Sequence, residues 1–249
     1  MVLILAHSDD VLARNVYNLL KKKRGDVQFI DESTLFSRVQ MSLHRHGQQI
    51  DGFLRLRGKR ILLTDLSGVL LRLHRTWWPS PSLDLQDQVF IYHETIASWF
   101  SLFATLTCPV INRFPLGWWL QEVNSMEMFR LSLAARLHMR TTISASPILA
   151  EYGLHPTPAS SYENMTSYYI AGNHLIPSLG YGRRINTILS GKFPAIASWL
   201  EHNGITLCRL DFESNGTAQL CRIEPSPVLE NEPTRLINKI GKAIARRLF

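Results

Sequence analysis

The sequence predicts an α/β protein with a parallel sheet, and three observations carry that prediction. Val2 to Ala6 is apolar throughout, as a strand buried on both faces requires. After a polar loop, Val11, Val16, Leu19 and Leu20 recur at helical spacing and a second apolar run, Val27 to Ile30, follows, so the chain opens as strand, helix, strand. The 249 residues are 45% hydrophobic and 19% charged, enough for one large or two small cores and unlike disorder, collagen or coiled coil.

Taken in order, His7 to Asp10 forms the loop after the first strand, with Ser8 or Asp9 suited to cap the helix, and Gly25 ends that helix. Asp31 and Glu32 close the second strand. Ile50 to Arg57, Arg60 to Thr64 and Val69 to Leu73 are short apolar or alternating runs separated by Gly-bearing turns, the pattern of hairpin strands. Trp77, Trp78 and their neighbouring prolines form a loop. Helical periodicity resumes from Asp87 to Leu106 and again from Asn124 to His138, with a short strand at Val110 and Ile111 between them. Ser144 to Pro158 reads as a linker region, which places a first domain at residues 1–145 and a second at 146–249. In the second domain Tyr168 to Ala171, Ile205 to Leu210 and Ala218 to Ile223 are strands, and Thr234 to Phe249 is a closing helix.

Composition narrows the function. Net charge is +7 and the sequence pI about 9.5, which favours an anionic partner without choosing among nucleotide, phosphate and nucleic acid. Two basic clusters, Lys21 to Arg24 and Lys239 to Arg247, fall where cations complement helix C-termini. A nucleic-acid role rests on pI alone, because no aromatic-basic strand motif or recognition helix accompanies it. The three cysteines lack metal-ligand spacing and cannot all pair, which points to a reducing compartment. No apolar run is long enough for a signal sequence or membrane span, so a cytoplasmic protein is expected.

The densest cluster of chemistry lies near the end. Asp211 closes one predicted strand, Ser214-Asn215-Gly216 forms a turn, and Glu224 follows the next strand; adjacent strands would bring the two carboxylates together as a candidate Mg²⁺ site. The segment LDFESNGTAQLCRIEPSPVLENEP resembles the last motif of ATP-grasp enzymes. In chain order, VLILAHSDD, FIDE, VLLRLHRTWWPSP, the helix with Tyr92, His93 and Glu94, CPVINRFP and NSMEMFRLSLAARL resemble the N-terminal region of ATP-grasp ligases that modify ribosomal peptides. The similarity covers roughly residues 1–145 and 203–249.

The resemblance implies an N-terminal pre-ATP-grasp-like domain with a parallel sheet, followed by a reduced α+β ATP-grasp-like domain. It also implies a reaction in which ATP and Mg²⁺ convert a carboxylate into an acyl phosphate that an amine or hydroxyl attacks, with cations offsetting charge on the transferred group. Carried onto this sequence, Asp211, Glu224 and Ser226 stand at the metal positions, Ser226 where the family has asparagine. Arg72 and Arg209 stand as catalytic cations, and Arg130 and Arg183 as substitutes for two nucleotide-binding lysines. The interval from Lys59 to Lys192 contains no lysine, Met126 occupies a phosphate-contacting position, and only Ser160 to about Gly204 stands where a whole lobe is expected. These departures predict a degenerate ATP-grasp-like protein that binds a peptide, a small carboxylate, a nucleotide or a catalytic partner protein in natural-product biosynthesis, with weak binding of ATP and Mg²⁺ at most and homodimerisation open. The competing expectation is an active ATP- and Mg²⁺-dependent carboxylate–amine ligase.

Overall fold

A computed structural model describes residues 1–46, 49–73, 79–113, 125–139, 165–178, 183–213 and 219–248. The predicted loop at Trp77 and Trp78, the paired Trp118 and Trp119, the linker from Ser144 to Pro158, the Gly180-Tyr181-Gly182 segment and the turn at Ser214-Asn215-Gly216 lie outside the described residues. The chain forms two compact units, Met1–Leu116 with Val228–Phe249, and Gly117–Pro227.

The first unit opens with β1, Val2–Ala6, all five residues of which are buried. Its neighbours β2, Val27–Asp31, and β6, Gly68–Arg72, both pair with it in parallel, which is why neither face of β1 carries a polar residue. Adding β7, Val110–Ile111, completes a four-stranded parallel sheet in the order β2-β1-β6-β7. Between β1 and β2 runs helix α1, Val11–Arg24, which Asp10 rather than Ser8 or Asp9 caps: its Oδ1 accepts the Ala13 N–H at 2.7 Å. Gly25 ends the helix with φ 70°, a left-handed conformation that glycine adopts without steric cost.

Helix α2, Glu32–Arg38, leads from β2 into a separate antiparallel sheet of β3, Val39–His46, β4, Gln49–Leu56, and β5, Lys59–Leu62. Two of the three expected hairpin strands are therefore β4 and β5. The third, β6, belongs instead to the parallel sheet, because its five residues are buried on both faces and its short apolar run suits an interior position. Helix α3, Leu85–Thr105, is capped by Asp84 and buries Trp99, Leu102 and Phe103 in its second half.

The second unit holds helix α4, Ser125–Ala135, and a five-stranded sheet in the order β10-β9-β11-β12-β8. Its strands are β8, His138–Met139, β9, Met165–Ala171, β10, His174–Pro177, β11, Leu207–Glu213, and β12, Gln219–Pro225. The stretch expected to hold only a reduced lobe supplies β9, β10 and the 20-residue helix α5, Arg183–His202.

These units differ from the expected partition at 145/146. Helix α4 lies in the second unit, and the closing helix α6, Thr234–Arg247, returns to the first, where it packs on α1. Leu236, Ile240 and Ile244 recur every fourth residue of α6 and are buried, an apolar stripe that requires a partner wherever the chain can provide one.

Candidate functional site

The acid pair lies in the second unit. Strands β11 and β12 run antiparallel with Arg209 opposite Glu224 and Asp211 opposite Arg222. Residues two apart on a strand share a face, as do directly opposed residues, so all four side chains lie on one face of the sheet. On the other side of β11, β9 places Ser167 opposite Asp211, and the Ser167 hydroxyl donates to Asp211 Oδ1 at 2.7 Å.

Arg209 ties the acids together. Its Nε donates to Asp211 Oδ1 at 2.7 Å, while its Nη1 is 3.9 Å from Glu224 Oε2. Arg222 Nη2 is 3.6 Å from the same Glu224 oxygen. Asp211 is only 1% exposed. Burial works against the charge on Arg209, but the hydrogen bond to Asp211 and the nearby carboxylate charges of Asp211 and Glu224 outweigh it, so the guanidinium is protonated even more firmly than in water.

Mg²⁺, a hard cation, takes about six oxygen ligands, and Asp211 and Glu224 offer two carboxylates on one face of the sheet. Both carboxylates face guanidinium groups, Asp211 that of Arg209 and Glu224 those of Arg209 and Arg222. Among the described residues, no group of three or more His, Cys, Asp and Glu is placed to hold a metal. Ser226 follows β12 at φ 56°, buried, with its N–H donating to Leu207 O at 3.2 Å. Asparagine accepts that left-handed backbone more readily than serine does.

The remaining candidates are distributed along the chain. Arg72, at the end of β6, is 1% exposed and its Nε donates to Asp10 Oδ2 at 2.7 Å, a buried ion pair at the carboxyl ends of β1 and β6. Here strand order reverses, the place where open α/β sheets receive ligands. The chain's own Val228, Leu229 and Glu230 line a cavity of about 70 Å³ there with His7, Asp10, Val11 and Arg72. Arg130 is exposed on α4, Met126 lies in that helix's first turn, and Arg183 opens α5. Cys108 and Cys208 are poor nucleophiles, since burial pushes both thiols up, Cys208 far beyond the ordinary range.

Sequence reasoning missed Arg222 and Ser167, whose roles come from strand register. It also missed a cleft of about 490 Å³ in the first unit, between β2 and the β4–β5 turn, whose lining includes Arg14, Arg57 and Lys59. No local motif marks it, because its walls come from two different sheets.

The sequence matches no family model and no curated protein. Among solved structures, the chain is similar to macrocyclase MdnC from Microcystis aeruginosa MRC, bound with precursor peptide MdnA, with a TM-score of 0.74 at 14% identity over 99% of this chain and 98% of that one. A RiPP-associated ATP-grasp ligase from Chryseobacterium gregarium, in complex with ADP and a leader and core peptide, gives a TM-score of 0.69 at 14% identity over 99% of this chain and 96% of that one. The ATP-grasp ligase PsnB, complexed with precursor peptide PsnA2 and AMPPNP, gives 0.68 at 10% identity over 100% of this chain and 97% of that one. With a parallel sheet in one unit and a mainly antiparallel sheet in the other, the chain has the fold of the ATP-grasp ligases, to which it is similar along its whole length.

Proposed function

We propose that this protein binds a peptide and has lost ATP-dependent ligation of its own, serving peptide modification as a binding component alongside a catalytic partner. The observation that carries the reading is Met126, at the start of α4 where the resemblance implies a phosphate-contacting cation. Neutral Ser226, where the resemblance implies an asparagine amide, acts in the same direction. Phosphoryl transfer relies on positioning and electrostatic stabilisation, and one lost contact of that kind typically slows an enzyme by roughly a hundredfold to a thousandfold. The peptide part of the reading is supported by solved structures of the same fold that hold precursor peptides.

The test is ADP release from ATP and Mg²⁺ in the presence of carboxylate- and amine-bearing peptides, run on the full chain and on Asp211→Asn, Glu224→Gln and Ser226→Asn. The expected result is release indistinguishable from the protein-free blank, with Ser226→Asn unable to restore it. Robust turnover abolished by either acid substitution would establish a working ligase instead; turnover that begins only on adding a second protein fits the binding-component reading.

A further inference from the structure

We propose that the cleft between β2 and the β4–β5 turn of the first unit binds an extended acidic peptide segment. The proposal rests on the peptide-binding reading above and assigns a surface for it.

The net charge of the cleft lining is positive. Arg14, Arg57 and Lys59 line it and are exposed, Arg14 with its Nε donating to Ser8 O, whereas Asp31 is the one acid among the described lining residues and caps the start of α2. Asp31 Oδ1 accepts the Ser33 N–H at 2.9 Å and also the Ser33 hydroxyl. Asp31 Oδ2 has no hydrogen-bond partner, and three cations against this one carboxylate leave the lining with a net positive charge that complements an anionic ligand.

The walls of the cleft suit a peptide better than a bare anion. Tyr17 and Phe29 meet edge to face at 5.9 Å on one side, and Leu56 and Ile61 lie on the other. In the hairpin, Leu56 is opposite Lys59 and Leu54 opposite Ile61, so this face of the small sheet carries three apolar residues and, at its turn end, the cation of Lys59. The opposite face carries Phe53, Arg55 and Arg60, with both arginines over the Phe53 ring. Among the described residues, strand β2 ends its sheet and pairs only with β1, so its outer edge can receive an added strand. Four consecutive residues of β2, Gln28 to Asp31, line the cleft, so the strand presents its edge there as well as a face.

Arg57 adds an independent argument. It occupies the first position of the two-residue turn between β4 and β5 at φ 49°, followed by Gly58 at φ 78°. Both central positions of such a turn need positive φ, which asparagine and glycine accept far more readily than arginine. The chain thus keeps a cation at the cleft mouth where another residue would serve the turn better, the pattern expected when a site is maintained at some expense of stability.

The experiment is fluorescence anisotropy with a labelled peptide of alternating glutamate and leucine, about six residues long to match one strand. It uses the full chain, an Arg57→Asn/Lys59→Gln variant, and a Lys239→Gln/Lys242→Gln variant that loses the same two charges from exposed positions of α6. Asparagine suits the turn, so the cleft variant should keep or gain thermal stability. Its affinity for the peptide is expected to fall about tenfold or more, whereas the α6 variant should stay within about twofold of wild type. Equal weakening in both variants would reduce the binding to net charge and overturn the proposal, as would absence of binding to wild type. Displacement of the peptide by ATP or inorganic phosphate at its own saturating level would reassign the cleft to a small anion. Robust ADP release with an intact difference between the two variants would overturn only the loss of ligation; no ADP release without that difference would overturn only this cleft.

Discussion

Asp10 performs two structural tasks with one carboxylate: Oδ1 caps α1 through the Ala13 N–H, and Oδ2 accepts Arg72 Nε, with the two side chains 5% and 2% exposed. Removing one member of a buried pair leaves the other charge uncompensated, which usually costs roughly 3 to 5 kcal/mol, whereas an exposed ion pair contributes at most about 1. Arg72→Met is therefore expected to lower the urea midpoint sharply, with a loss on the order of 3 kcal/mol. Asp10→Asn, which keeps the cap, should lose less than Asp10→Ala. A loss below about 1 kcal/mol in Arg72→Met would remove the pair as an anchor and return Arg72 to the catalytic role that the family resemblance implies.

Among the elements, α1 and α6 show how close contact is obtained. Asn15 Nδ2 donates to Asn238 Oδ1 at 2.7 Å, and a Cβ added at Gly241 would lie 2.2 Å from Asn15 Oδ1. Alanine in mid-helix is favoured over glycine by up to about 1 kcal/mol, so Gly241→Ala alone would stabilise an unobstructed helix. Here the methyl group must displace the Asn15 amide and break its hydrogen bond. A double-mutant cycle on thermal or urea unfolding is expected to show Gly241→Ala destabilising in the wild-type background and neutral or stabilising with Asn15→Ala, a coupling of about 1 kcal/mol or more. Additive effects would mean that the two helices tolerate the methyl group by shifting apart.

At the scale of the whole molecule, the chain leaves the first unit after Leu116 and returns to it at Val228. The returning segment is structural: α6 buries Leu236, Ile237, Ile240, Ala243, Ile244 and Ala245, and Leu248 packs against Gly68 of β6. Each fully buried leucine or isoleucine contributes about 1.5 to 3 kcal/mol, so the combined loss rivals the stability of a whole domain. Truncation after Pro227 is therefore expected to unfold the first unit. Hydrogen exchange should show loss of protection at β1, Val2–Ala6, in the truncated chain and strong protection in the full one. Retained protection would mean that residues 1–116 fold without the closing helix.

How much of this was legible in advance follows from the distance over which each feature is encoded. The apolar run of β1, the periodicity of α1, the glycine that ends it and the closing amphipathic helix are local patterns, and the structure has each of them at or near the expected residues. Strand order is not local. Val69 to Leu73 carries the same short apolar signal as a hairpin strand, and only burial on both faces places β6 beside β1. The sequence likewise indicated adjacent strands for Asp211 and Glu224, because the turn between them is short. It could not show that Arg209 lies between the two acids or that Ser167 reaches across from β9, since those contacts depend on register among three strands. Periodicity and turn chemistry within a few residues thus suffice for the α/β class, the main helices and the position of the acid-bearing hairpin. Tertiary structure alone decided which unit receives the last helix, what neutralises the acid pair and where a cationic cleft opens, because each depends on residues far apart in sequence that meet only when sheets and helices pack.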